Sequence, residues 1–257
     1  MDLAQLYGEW KAIGIAGGHL TLWQNCFVKF YQAFIEADRW VQYFKGVGTT
    51  LLVTALALAL GIVLGILVAM VRTAHDQQRI GHHNPILGVL NGICKVYVTV
   101  IRGTPMMVQL LIMGMVIFKS SRDFTSVGAL TLGINSGAYV SEIIRGGLMA
   151  LDSGQSEAGR SLGLTYVDTM RFIIIPQAFK AILPSLGNEF IILLKDTSLI
   201  TVIGGKELLY AAQGVMGRTY EQMFPLLGTA LIYLVLVMIF SWLLGKLERR
   251  LRQSDRR

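Results

Sequence analysis

Charge is scarce in this chain: Asp, Glu, Lys and Arg make up 15% of its 257 residues, against about 25% in a soluble domain. With 53% hydrophobic residues and a mean hydropathy of +0.55, that shortage argues against an ordinary soluble domain and for a polytopic membrane protein. Cysteine is nearly absent. Cys26 and Cys94 are the only two, too few for a disulfide framework, and a five-span topology puts them on opposite membrane faces. Motifs for enzyme chemistry are missing too: there is no G-x-x-x-x-G-K-[ST] phosphate loop and no H-E-x-x-H helix. Gly159-Arg-Ser-Leu-Gly163 matches G-x-S-x-G as a string, but a nucleophile elbow needs a strand before the serine. The segment before Ser161 is polar and helical in pattern, so the match is read as chance. His75, His82 and His83 are read as solvated loop residues rather than a metal site. No internal repeat is visible. A cleavable signal peptide is not expected, because the first apolar run is short, mixed with polar residues and without a basic start.

What is present is a series of apolar runs long enough to cross a bilayer, which takes roughly 20 helical residues. Five spans are expected: Val47–Val71, Val96–Phe118, Ser126–Ile144, the proline-containing region Phe172–Gly204, and Phe224–Leu244. The fourth region is too long for one span. Pro176 and Pro184 remove helical hydrogen bonds, dividing it into an interfacial helix, Phe172–Ser185, and the span proper, Leu186–Gly204. The formal charge of +7 is distributed by topology rather than for nucleic acid. Arg72 and Arg79, then Arg145, Arg160 and Arg171, then the tail from Lys246 to Arg257 fall on one side of a five-span chain. The Lys/Arg bias makes that side cytoplasmic and the N-terminus external, although Lys11, Lys29, Arg39 and Lys45 then lie outside. Residues 1–44 carry Phe27, Phe30, Tyr31 and Phe34 at helical spacing. They form a helix that lies on the bilayer or packs on the bundle.

Between the third and fourth spans lies Ser153-Gly-Gln-Ser-Glu-Ala-Gly-Arg-Ser-Leu-Gly163. Asp152 or Ser153 can cap a helix starting near Gln155, and Gly163 suits its end. Gly159 costs about 1 kcal/mol against alanine inside a helix, which suggests close approach of another surface. Leu162 offers an apolar anchor. Such an element suits docking into a partner's groove, or it is an ordinary amphipathic connector.

Glu157-Ala-Gly159, Gly163 and Ile173-Ile-Ile-Pro176 resemble the cytoplasmic "EAA" loop of permease subunits of binding-protein-dependent ABC importers. Arg102-Gly-Thr-Pro105, Asn135-Ser-Gly-Ala-Tyr139, Ser141-Glu-Ile-Ile-Arg-Gly-Gly147 and Leu194-Lys-Asp-Thr-Ser-Leu199 resemble its polar amino-acid uptake branch. The resemblance covers about residues 45–252. Gly159 stands where the family usually has alanine and Ile175 where it usually has leucine. The 44 residues at the N-terminus exceed those of the shortest members. The resemblance implies an all-α, type I importer-like bundle of five transmembrane helices in a bacterial plasma membrane. It divides into the segment 1–44, a transmembrane domain 45–252 with a coupling loop 146–171, and a basic tail 253–257. It implies as partners a separate ATP-hydrolysing subunit dimer, an extracytoplasmic binding protein, a second permease subunit, an amino acid and membrane lipid. No cofactor and no nucleic acid are expected. Gln155, Glu157, Ala158, Gly159, Arg160, Leu162 and Gly163 are the expected contacts to the ATPase.

Polar groups at membrane depth are the substrate candidates. Thr104 can cap a helix that begins at Pro105, whose N-terminus suits a carboxylate. Arg102 adds a full charge, or snorkels, or pairs with Glu142 or Asp196. Glu189 and Asp196 share a helical face and can hold an ammonium; Asp196 can instead neutralise Lys195 or cap a break at Thr197. Gln109, Asn135 and Asn188 bind substrate or hold helices together, the commoner role. Glu142 and Arg145 are expected to fix the loop. Gly61 and Gly65 form a small-residue packing pair. The function expected is passage of an amino acid into the cytoplasm, powered by ATP hydrolysed on another subunit. The alternatives are a carrier driven by an ion gradient through Glu189 and Asp196, and a membrane scaffold that transports nothing.

Overall fold

A computed structural model describes residues 2–78 and 84–254. Among them there is no strand, and the chain folds as eleven helices: α1 (Leu3–Ile15), α2 (Leu22–Phe34), α3 (Arg39–Asp76), α4 (Pro85–Gly103), α5 (Met106–Leu111), α6 (Phe124–Met149), α7 (Ser153–Ser161), α8 (Tyr166–Thr169), α9 (Ile175–Asp196), α10 (Leu208–Thr219) and α11 (Met223–Ser254). Two π-helical turns, Ile112–Ile117 and Met170–Ile174, extend α5 and α8, and a 3-10 turn, Thr197–Ile203, extends α9.

Helix α3 packing on α6 forms the spine of the bundle. Small residues allow it, because lipid supplies little drive for helix association and close backbone approach must replace it. A Cβ on Gly61 would lie 2.7 Å from Ser136 Oγ, and one on Gly65 would lie 2.5 Å from Val140 Cγ1. Gly133 and Gly137 on α6 receive Leu60 and Leu64 in return. Val53, Ala57, Leu110, Leu132, Leu193 and Ile200 close a core joining α3, α5, α6 and α9. On its other side α9 meets α11, with Leu244 over Gly187 and the Phe190 and Phe240 rings 4.7 Å apart.

Glu36–Asp76, Pro85–Gly103 and Met223–Leu251 have the length and apolarity to cross a membrane, and Met106–Ile117 is a shorter apolar stretch. The 26 residues of α6 and 22 of α9 reach a spanning length, but they carry buried polar groups. Two expected boundaries are corrected. The second apolar helix begins at Pro85 rather than Val96, where Asn84 accepts from the N–H groups of Ile86 and Leu87. The expected division at Pro184 does not occur, and α9 runs through it. Membrane helices tolerate an interior proline where neighbours hold them. Here Ile182 sits over Gly147 of α6 and Gly187 under Leu244 of α11, one on each side of Pro184.

The N-terminal segment packs on the bundle. Tyr7 stacks on Tyr31 at 4.3 Å, closing α1 on α2. Phe34 of α2 lies over Gly228 of α11, and Lys29 pairs with Glu221 at 2.9 Å. Ala37 and Asp38, both left-handed at φ 55° and 52°, turn the chain from α2 into α3. Both cysteines are free.

Candidate functional site

Proline 105 interrupts an apolar helix and the structure repairs the interruption with a side chain. Thr104 is extended, with ψ 144°, as a residue before proline prefers. It does not cap the new helix as expected. It ends α4 instead, and its hydroxyl donates back to Val100 O at 2.8 Å. Pro105 opens α5 without a side-chain cap. Lacking an N–H, Pro105 leaves Ile101 O without its helical donor. Gln109 Nε2 takes that place at 2.8 Å and also reaches Thr104 O and Oγ1 at 3.2 and 2.8 Å. Gln109 Oε1 then accepts from Asn135 Nδ2 at 3.0 Å. Thr104, Gln109 and Asn135 thus form one cluster that ties the break to α6. A cavity of about 250 Å³ beside it is lined by Ile101, Val108, Met113 and Thr131.

Asn135 and its neighbour Ser136 point away from each other on α6, as consecutive helical residues do. Ser136 Oγ donates to Glu189 Oε1 on α9 at 2.7 Å, and Glu189 is only 6% exposed. Asn188 is exposed and takes no part in this row. Asp196 is half-buried at the end of α9 and does not cap the following turn. Thr197 instead bonds back to Leu194 O at 2.8 Å.

In the last turn of α4, just before the break, Arg102 is drawn to Glu142, with Nη1 3.7 Å from Oε2 and its guanidinium over the Tyr139 ring at 5.2 Å. Glu142 also pairs with Arg72 of α3 and with Arg145 at 3.5 Å, and Arg145 reaches Asp76 at 3.2 Å. This lattice of charges locks the ends of α3, α4 and α6 together beside the exposed loop helix.

The loop helix α7 begins at Ser153, slightly before Gln155, because Asp152 caps it by accepting from Gly154 N at 2.9 Å. Gly163 ends it at φ +78°. Glu157, Ala158, Arg160 and Gly163 are exposed, and Leu162 is 79% exposed. Gln155 is exposed and accepts from Gln177 Nε2 at 3.2 Å. Gly159 is placed differently. It is buried, and a Cβ there would sit 2.8 Å from both Thr169 Cγ2 and Oγ1. The close approach that its glycine suggested is made by this chain's own α8.

Ser161 donates to Glu157 O and no strand precedes it, so a nucleophile elbow has no structural basis. His75 lies 3.6 Å from Asp76, while His82, His83 and Arg79 are outside the described residues. Among the described residues no group of three ligands suits a metal.

Sequence reasoning missed Ser136, which looked like one more small residue. It also missed Glu207, 1% exposed, which accepts from Tyr210 N at 3.0 Å and joins Thr50 of α3 to Tyr233 of α11. Glu207 sits in a polar stretch of sequence, Gly204-Gly-Lys-Glu, and nothing there signals burial.

A family model described as the binding-protein-dependent transport system inner membrane component matches residues 84–253. The chain belongs to this family. Among its relatives is the arginine transport system permease protein ArtQ of Bacillus subtilis, 38% identical over 66% of this chain and 84% of that protein. Another is the glutamine transport system permease protein GlnP of Escherichia coli K12, 36% identical over 64% and 77%. A solved amino acid ABC transporter with histidines is similar at a TM-score of 0.73 and 40% identity, over 81% of this chain and 94% of its own. The MetNI methionine ABC transporter shares the fold at a TM-score of 0.70 and 18% identity. This inner membrane component thus has the all-α type I importer fold, and its break, polar row and loop helix all lie within the matched residues or on the helix beside them.

Proposed function

We propose that this chain is the membrane-spanning permease subunit of an ATP-driven amino-acid importer. An extracytoplasmic binding protein hands it the substrate, and a separate ATPase dimer moves it between outward-open and inward-open states. The family match carries this reading, and the exposed loop helix supports it. A short helix whose outer face presents Glu157, Arg160 and a bare Leu162 has the form of a groove-docking element. An ion-driven carrier has no use for it.

The second permease subunit is this chain again or a close relative, and lipid surrounds the pair. Helices α3, α4 with α5, α6, α9 and α11 are the five spans. The N-terminus faces outward, and α7 and the basic end of α11 face the cytoplasm. Three of the cations that argued against this orientation are paired within the chain: Lys11 and Arg39 with Glu36, and Lys29 with Glu221. Those pairs fasten the N-terminal helices to one another and to the bundle, and the Lys/Arg excess at the end of α11, Lys246, Arg249 and Arg250, supports a cytoplasmic position for that end.

The substrate path runs past the Pro105 break and the α6–α9 interface. Glu189 is the carboxylate placed to meet an ammonium group, and the start of α5 with Arg102 is placed to meet a carboxylate. Thr104, Gln109 and Asn135 hold that geometry, while Asn188 and Asp196 stand at its margin. Gln155, Glu157, Ala158, Arg160, Leu162 and Gly163 meet the ATPase.

The test is co-purification from native membranes in mild detergent. The tagged chain is expected to bring down a stoichiometric ATP-hydrolysing subunit that is lost with Glu157→Arg. Retention of that subunit and of uptake by the variant would refute the docking role.

A further inference from the structure

Gly159 and Thr169 form a contact that the docking face of α7 does not explain. Gly159 lies on the inner side of the loop helix, buried, while Glu157, Ala158 and Arg160 around it are exposed. The backbone of α7 rests directly on Thr169: a Cβ at position 159 would be 2.8 Å from Cγ2 and Oγ1 and 3.3 Å from Cβ of that threonine. Carbon atoms in ordinary contact stand about 3.5–4.0 Å apart, so the space where a side chain would be is already filled. Thr169 is 3% exposed, and its hydroxyl oxygen is buried without a hydrogen-bond partner among the described residues. A buried hydroxyl is ordinarily paired. Here the side chain serves packing at the expense of its polar atom.

The contact matters because of where Thr169 sits in the chain. The π-helical turn Met170–Ile174 begins at the next residue and leads straight into α9, which carries Glu189. Such turns depart from regular α-helical bonding and are frequent at functional sites. A side-chain link from α7 directly to α9, Gln155 to Gln177 at 3.2 Å, is exposed to solvent. At its far end α7 is stiffened by Leu164 N donating to Gly159 O at 3.1 Å and Gly163 N to Arg160 O at 2.9 Å. A push on the outer face of α7 therefore reaches Thr169 through a rigid helix and a close-packed contact.

We infer that the Gly159–Thr169 contact is the bearing through which the loop helix drives α9, with Thr169 as a positioning residue for coupling. The inference rests on the reading that α7 docks an ATPase. Thr169 touches neither substrate nor nucleotide. It acts by turning displacement of α7 into displacement of the helix that lines the polar row.

The experiment reconstitutes the complete complex in liposomes and measures amino acid transported per ATP hydrolysed, with subunit stoichiometry recorded for each variant. Thr169→Ala opens a gap at the contact without adding bulk. It is expected to leave assembly intact and lower transport per ATP about fivefold, within the range of known coupling perturbations. Gly159→Ala with Thr169→Ala puts a methyl back into the gap from the other side and should restore the ratio to within about twofold. Gly159→Ala alone overfills the contact and should lower the ratio again. If that single variant fails to elute as an intact complex, Thr169→Ala and the double variant decide the matter. A Thr169→Ala complex with wild-type transport per ATP, or a double variant no better than Thr169→Ala, overturns the inference. Failure of the docking reading looks different: Glu157→Arg would then keep its ATPase, an outcome read from subunit stoichiometry and not from the coupling ratio.

Discussion

Replacing Gln109 with leucine removes the side chain that repairs the Pro105 break while keeping a similar volume. The Gln109 amide nitrogen has two hydrogens to divide among three nearby acceptors, and its oxygen accepts one further bond from Asn135. At most three good hydrogen bonds are lost. Each is worth about 1 kcal/mol in a soluble protein and about 0.6 kcal/mol between membrane helices, so the loss comes to about 2–3 kcal/mol. Spread over a chain of this size, it lowers the melting temperature by roughly 4–12 °C. Most of the damage centres on Ile101 O, which has no helical donor because residue 105 is proline. Pro105→Ala restores that N–H and lifts the restriction on Thr104, so the helix can close over the break. In the Gln109→Leu background it should therefore recover about 1 kcal/mol more than it does in the parent. Uptake should move the other way. The double variant regains stability but not transport, because the half-helix start at Pro105 is gone. Melting curves of the purified chain in one detergent, beside uptake in cells, measure both. The reasoning fails if Gln109→Leu melts with the parent, or if Pro105→Ala helps both backgrounds equally.

The same geometry predicts two further outcomes. Gly65→Ala should destabilise the chain by about 1–3 kcal/mol, since its methyl would meet Val140 at 2.5 Å and the backbone nitrogen of Ser141 at 3.0 Å. Gly92→Ala, with nothing within 4 Å of the new methyl, should be neutral or stabilising, and paired melting curves distinguish the two. At the start of α6, hydrogen bonds from the Ser126 hydroxyl and N–H hold the Asp123 carboxyl below the ordinary carboxylate range. A lowered value means that the stabilisation is fully present above about pH 4 and is lost as pH falls through Asp123's own, lower pKa. Protection of the Thr125 and Ser126 amides, taken as exchange relative to an unstructured peptide at the same pH, should therefore hold through the ordinary Asp range and fall only below it, and Asp123→Asn should remove that step.

Some of these features were legible because their causes are local. Pro105 lacks an N–H wherever it stands, so a break there could be read from one residue. The caps of α7 at Asp152 and Gly163 come from short-range hydrogen bonding and a positive φ. Gly61 and Gly65, one turn apart, marked a packing face before its partner was known. The same local logic failed at Pro184, where neighbours on both sides of α9 hold the helix continuous. It also failed at Thr104, whose hydroxyl turned back to α4 rather than forward to α5.

From the sequence alone came a polytopic helical bundle, a family, a broken second span and an exposed loop helix, because composition, helical periodicity and backbone covalent chemistry act within a few residues. The tertiary structure decided which polar groups meet. Gln109 turning to Ile101, Ser136 to Glu189, Glu207 to Thr50 and Tyr233, and Gly159 to Thr169 join positions brought together by packing. No local rule encodes such a meeting, because the free energy that holds it depends on two surfaces at once.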